Sequence, residues 1–238
     1  MANELDTDLP VLELFAEVSV IEETSQTLAD EVLDKVQDGS FSYDDVVKLF
    51  NTCLMELAGE FLIPDLEQWR DIYTDPGENN TPLPSDFHKN LRFCHSITHN
   101  RKIRIQGSVI QMMRWYTNID RVGPVRQCAT KGTRLYYQQV PSEAEQLRVN
   151  YFAYPERLRT RNDKPTCLPA HLIDKLLLNY ACEEIFDRIE DALEGQKPNT
   201  IYYGKKYEEA KARLNDFLGP EERELQEFPD EINYDVLV

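Results

Sequence analysis

The sequence predicts an α+β fold, mainly an α-helical bundle with a small antiparallel β module inserted between the second and third helices. Three observations predict it. Apolar residues recur at spacings of three and four along four stretches. Between the second and third of these, short runs alternate with period two and are rich in Tyr, Val and Ile, the pattern of half-buried strands. Proline-bearing loops separate the blocks. With 238 residues the chain is long enough for one large domain or two modules, and for a sizeable core.

The first helix is expected to start near Asp8-Leu9-Pro10, with Asp8 as N-cap and the proline in the first turn. Leu14, Val18, Ile21, Ser25, Leu28 and Val32 make its stripe, and Gly39 ends it. Ser42 opens the second helix, with Asp45 completing a capping box, and Val46, Phe50, Leu54, Leu57 and Phe61 form its apolar face. The short connection between the two implies an antiparallel helical hairpin. Pro64 closes this region. Residues 74–86 read as loop, from Asp75-Pro76-Gly77 through Asn79-Asn80-Thr81-Pro82.

Strands follow where Leu91, Phe93, His95 and Ile97 alternate, and again at Ile103 and Ile105. Arg134–Val140 and Leu147–Ala153 are two more strands, and the link 141–146 is short enough for a hairpin loop. Residues 108–120 fit either helix or strand. Pro155 and Pro165 bound a basic loop with Arg157, Arg159, Arg161 and Lys164. After Leu168-Pro169, Ile173, Leu177, Ala181, Ile185 and Ile189 predict a long helix that stops at Gly195. A last helix runs from about Thr200 to Phe217, with Tyr203, Tyr207, Ala210, Leu214 and Phe217 on one face, before Gly219-Pro220. Residues 221–238 form an acidic tail closing on Tyr234, Val236, Leu237 and Val238.

Charge narrows the function classes. Asp and Glu number 43 against 26 Lys and Arg, a net charge of −17. So acidic a surface is poorly suited to gripping DNA as a whole, because that binding runs on phosphate neutralisation. The charge is uneven: the balance is −13 over residues 1–60, −3 over 61–100, +8 over 101–170 and −9 over 171–238. Such sign asymmetry suits oriented assembly, with solvated helix and strand faces as the competing reading. No apolar run approaches the roughly 20 residues that span a bilayer. Glu4, Asp6 and Asp8 stand where a secretory signal would be basic, so no such signal and no membrane partner are expected. The five cysteines lack C-x-x-C spacing, which argues for reduced thiols made in a cytosol.

Chemistry is sparse. No phosphate loop, nucleophile elbow or H-E-x-x-H motif occurs. Cys94-His95 with His99 sits on a strand running into a turn, where a spacing of four does not converge, so no metal or other cofactor is expected. The pairs Asp44-Asp45, Glu183-Glu184 and Glu208-Glu209 are sequence neighbours on helices and point apart. No enzyme is indicated. The arginine loop is the sharper candidate, for a phosphate backbone passing by, for acidic helices of another copy, or as an ordinary solvated loop.

The order of segments resembles the head–tail adaptor (connector) proteins of tailed bacteriophages. The matching pieces are Phe41-Ser42-Tyr43-Asp44-Asp45, Leu83-Pro84-Ser85-Asp86-Phe87, Gly123-Pro124, Gly132 and Leu135-Tyr136-Tyr137. They continue with Val149-Asn150-Tyr151-Phe152-Ala153-Tyr154-Pro155, Leu168-Pro169-Ala170-His171-Leu172, Tyr180-Ala181 and Tyr207-Glu208-Glu209-Ala210-Lys211-Ala212. The likeness covers about residues 40–218. Residues 1–40 look like an acidic helical extension to the common pattern, and the strand before Pro141 lacks its paired-proline step.

The resemblance implies an adaptor domain over 41–218 with a β insertion at about 88–155, and a partner-docking arm over 219–238. It implies a non-enzymatic structural virion protein, made in the host cytoplasm and placed in the head–tail neck. There it would form a ring with itself, usually of twelve copies, below the portal protein and above a tail tube or nozzle protein. DNA would pass through the channel without sequence-specific binding. The family's tail tends to contact the portal, which here maps onto Phe228, Tyr234, Val236, Leu237 and Val238. Arg157, Arg159, Arg161 and Lys164 would meet DNA or a neighbouring subunit. The alternative class is an intracellular, non-viral protein-binding module with acidic helices.

Overall fold

The computed structural model describes residues 24–115, 121–191 and 197–219. In chain order the described elements are α1 (Ser25–Val36), α2 (Tyr43–Glu60), β1 (Glu67–Tyr73), β2 (Asn80–Pro82) and β3 (Phe87–Ser96). Next come β4 (Arg101–Lys102), β5 (Arg104–Ile105), α3 (Val109–Trp115), β6 (Gln127–Lys131), β7 (Arg134–Gln138) and β8 (Gln146–Ala153). The helices α4 (Ile173–Glu190) and α5 (Pro198–Leu218) complete the order. This overturns the expected mainly helical bundle with a small β module. The eight strands build two four-stranded sheets with a core of their own, packed against a four-helix unit.

Local sequence explains the helix ends. Ser42 and Asp45 exchange cap bonds, the Ser42 hydroxyl accepting from the Asp45 N–H and the Asp45 carboxylate accepting from the Ser42 N–H. α1 starts later than expected: Thr24, in an extended conformation, caps it with Thr27 as the reciprocal partner. The expected start at Asp8 lies outside the described residues. Gln37, left-handed at φ 54°, ends α1 two residues before Gly39. Ser25, Leu28 and Val32 of the expected stripe are buried, as are Val46, Phe50, Leu54 and Leu57 of α2. Glu190, at the end of α4, turns back to cap α5. Its carboxylate accepts from the backbone and side chains of both Asn199 and Thr200, at 2.8 to 3.1 Å.

One sheet has the order β1-β8-β3-β4 and the other β2-β7-β6-β5. All pairs are antiparallel except β5 with β6. Ile72, Cys94, Ile103, Cys128, Leu135, Tyr137, Leu147, Val149 and Tyr151 fill the space between the sheets. The run 101–105 turns from one sheet into the other at Ile103, which is fully buried. The ambiguous stretch beginning at 108 resolves into α3, which buries Met112.

The expected hairpin at 141–146 is absent, because β7 and β8 belong to different sheets. Glu145 holds the crossing in place. Its buried carboxylate accepts from the Val125 N–H at 3.1 Å and from the Ser96 hydroxyl at 3.4 Å, and lies 3.3 Å from His99 Nε2. Its own N–H donates to the Thr74 hydroxyl at 2.8 Å. These partners come from three distant segments, so a local turn signal could not reveal the crossing.

β8 joins the two halves. Leu147, Val149, Tyr151 and Ala153 face the other sheet, while Phe152 points the opposite way into the helical core. Lys89 adds a second tie, donating from Nζ to the carbonyls of Gly59 and Phe61 at the end of α2, at 2.8 and 2.9 Å. Phe152 is 2% exposed. Replacing it with alanine should cost ~3–5 kcal/mol through the cavity left between sheet and helices. Urea unfolding of the variant beside the parent checks this.

Candidate interaction surfaces

The basic loop is built onto the helices rather than hung in solvent. Asn51 on α2 clamps it at two points, donating to the Leu158 carbonyl at 3.0 Å and accepting from the Leu158 N–H at 2.9 Å. The first amides of α1 find their acceptors here: Ser25 donates to the Asp163 carbonyl and Gln26 to the Arg161 carbonyl, at 2.8 and 3.1 Å. The Ser25 hydroxyl donates to the Thr160 carbonyl and accepts from the Tyr43 hydroxyl, both at 2.8 Å. Asp163 folds the tip, its carboxylate accepting from the Arg159 and Thr160 amides at 2.6 and 2.8 Å and from the Thr160 hydroxyl.

The structure thus brings the four expected residues onto one anchored surface. Arg157, Arg159, Arg161 and Lys164 are all exposed. Arg161 lies over the Tyr43 ring at 5.4 Å. Arg157, Arg159 and Lys164 border a concavity of about 600 Å³, with Thr160, Asn162 and Thr166 among its other walls. Glu156 and Asp163 line the same concavity and offset part of this charge.

Folding also gathers the charge that alternates along the chain. Among the described residues, the helices and their links (24–63 and 167–219) hold 17 acids and 9 bases, a balance of −8. The sandwich with the basic loop (64–166) holds 10 acids and 16 bases, or +6. The acidic front and back of the sequence therefore become one half of the molecule, opposite a basic half.

The remaining sequence candidates do not converge. Cys94 lies fully buried between the sheets, His95 is on the other face of β3 beside Phe93, and His99 turns to Glu145. Burial pushes the thiols of Cys53 and Cys182 up to about 12 and that of Cys167 to about 11, far from a reactive thiolate. Phe228, Tyr234, Val236, Leu237 and Val238 lie outside the described residues.

One surface escaped the sequence reading altogether. β1 is a free edge of its sheet and exposes Trp69 (55%) and Tyr73 (60%). Trp69 meets Phe93 edge to face at 5.5 Å, and with Arg70, Asp71 and Arg148 it borders a concavity of about 570 Å³. Glu67, Trp69, Asp71 and Tyr73 do alternate with Gln68, Arg70 and Ile72. The alternation went unread because its outward set mixes acids with aromatics and only Ile72 is buried on the inner side.

The family profile described as SU10 adaptor protein matches residues 24–225. The chain belongs to the SU10 adaptor protein family. No curated protein matches the sequence. Membership makes the chain a phage adaptor, a structural virion protein that works through contacts with other head and tail components. The match begins at the Thr24 cap of α1, leaving residues 1–23 outside it. Among the described residues, no helix is long and apolar enough to cross a membrane.

The adaptor's carboxylates set its acid limb. The Ser42 hydroxyl, then Lys48, hold Asp45 down at about 2. Hydrogen bonding from Arg148 lowers Asp71, and that from Thr160 and the Arg159 amide lowers Asp163. Burial alone would raise Glu190, but the bonds from Thr200 and Asn199 outweigh it and hold it below the usual range. A carboxylate lowered by folding contributes stability above its unfolded pKa, and that contribution is lost as pH falls through the folded value. Thermal midpoints should therefore drop between about pH 4 and about pH 2. Asp163→Asn and Glu190→Gln should each flatten that decline while lowering the midpoint at neutral pH.

Proposed function

We propose that this adaptor forms a homo-oligomeric ring below the portal, linking capsid to tail and surrounding the path of the genome. The observation that carries this reading is the partition of charge in a family member: a −8 helical half and a +6 sandwich half in one subunit. Copies set side by side with the acidic half of one against the basic half of the next would repeat one heterologous contact. A contact of that kind closes into a ring where its rotation allows. Complementary fields of this sort fix orientation and partner choice more than raw affinity.

In the same reading the arm beyond Gly219 docks on the portal through Phe228, Tyr234, Val236, Leu237 and Val238. Burying such side chains contributes on the order of 1.5–3 kcal/mol each before the ordering cost of the segment. Weak docking per copy becomes firm when repeated around a ring.

Two measurements test this. Screening contracts from about 8 Å at physiological salt to about 3 Å at 1 M, so oligomers held by charge should sediment as smaller species in high salt. Oligomers indifferent to salt count against the charge pairing. A chain ending at 220 should keep its thermal midpoint and fail to join the portal. Normal joining by the shortened chain removes the arm from the account.

A further inference from the structure

The anchored basic loop sits at the point where an acidic segment of the same chain arrives. Residues 1–23 carry seven carboxylates, at Glu4, Asp6, Asp8, Glu13, Glu17, Glu22 and Glu23, and no Lys or Arg. They lead directly into Thr24, and the next residue, Ser25, is hydrogen-bonded through its N–H to the Asp163 carbonyl at 2.8 Å and through its hydroxyl to the Thr160 carbonyl. Consecutive Cα atoms are 3.80 Å apart, so the Cα of Glu23 lies within about 8 Å of that of Ser25, and the Cα of Glu22 within about 11 Å. The segment therefore joins the described chain at the loop.

We propose that the basic surface formed by Arg157, Arg159, Arg161 and Lys164 is a docking site for the acidic segment 1–23 of its own chain. The loop offers a concavity of about 600 Å³ and four exposed cationic side chains. Two acids, Glu156 and Asp163, also line the concavity, and Asp163 accepts from the Arg159 and Thr160 amides and the Thr160 hydroxyl, so three bases there face two acids. The segment offers the complementary charge, with Glu22 and Glu23 nearest in sequence to the anchored Ser25.

The tether decides which copy supplies it. A segment joined to its site within three residues has an effective concentration that another copy or a free polyanion must exceed. Other anions, whether a phosphate backbone or the acidic helices of a neighbouring subunit, then meet the loop only in competition with the chain's own carboxylates. This goes beyond the adaptor assignment and does not require the ring.

Zero-length carbodiimide coupling reads the contact directly, because it joins a carboxylate only to an amine in contact with it. In the full chain, diluted to the monomer, mass spectrometry should find Lys164 joined to Glu22 or Glu23. The yield should fall several-fold in 1 M salt, as screening shortens the reach of the attraction. An Arg159→Lys variant places a second amine on the same loop and should couple to the same segment. Mixing isotope-labelled and unlabelled chains assigns the link: joins within one copy support the proposal, and joins only between copies overturn it.

The second reading uses random-sequence duplex DNA as probe. A full chain carrying Glu13, Glu17, Glu22 and Glu23→Gln should bind it about tenfold more tightly than the parent at low salt, because the competing charge has gone. Adding Arg157→Ala and Arg159→Ala to that variant should abolish the gain. Equal binding by parent and glutamine variant, or segment carboxylates coupled only to lysines outside the loop, overturns the proposal. A sedimentation run on the same samples keeps it separate from the ring: loss of oligomers with the intrachain link intact would count against the ring alone.

Discussion

β8 has to serve two cores at once, and that requirement organises the molecule. Its inner side chains close the sandwich, and Phe152 on its outer side enters the helical core. A strand with only one buried face could stand at the rim of a sheet. β8, buried on both faces over its second half, is also paired on both edges, lying between β1 and β3. The helices must cover the Phe152 end of that sheet and leave the other end to solvent. That is why Arg148, two strand positions further out on the same face as Asn150 and Phe152, can pair with Asp71 in the open. The four hydrophobic residues between Val149 and Ala153, interrupted only by Asn150, express this double duty in the sequence.

Legibility in the sequence followed the range of the forces. The Ser42–Asp45 cap, the stripe of α2 and the limits of α5 depend on neighbours within four residues, and all could be read. β3 and β8 could be read because alternation is equally local. The two-sheet architecture could not. β1 presents Glu67, Trp69 and Asp71 outward, so its hydrophobic signal reduces to Ile72. β2 is three residues of a segment that otherwise reads as turn. The crossing between β7 and β8 depends on Glu145 finding Val125, Ser96 and Thr74, contacts separated by 20 to 71 residues. A buried carboxylate with that many donors looks, in sequence, like one more acid in a polar loop.

The basic loop was legible as composition and illegible as structure. Three arginines and a lysine between two prolines mark a cationic segment. Nothing in that run shows that its carbonyls complete the first turn of α1, or that Asn51 pins Leu158 from both sides. The loop, counted with the sandwich in sequence, is thus anchored on α1 and α2 and brings its positive charge against the acidic helices. Its backbone cannot move away from α1 without orphaning the Ser25 and Gln26 amides, a costly change for groups removed from water. Its arginine side chains remain free to change partners, since none of the bonds that hold the loop down uses a guanidinium.

That separation of anchor from contact group suits an assembly protein. A subunit that binds through flexible basic loops would lose ordering entropy at every contact, and the loss would multiply around any repeated structure. Here the ordering is done during folding, by carbonyls, Asn51 and Asp163, before a partner arrives. What a partner then meets is a fixed backbone with long cationic side chains, held on the helical half. Interactions of this kind are individually weak in water and sensitive to salt. They become selective through number and placement, which is the property that distinguishes an adaptor from a tight binary binder.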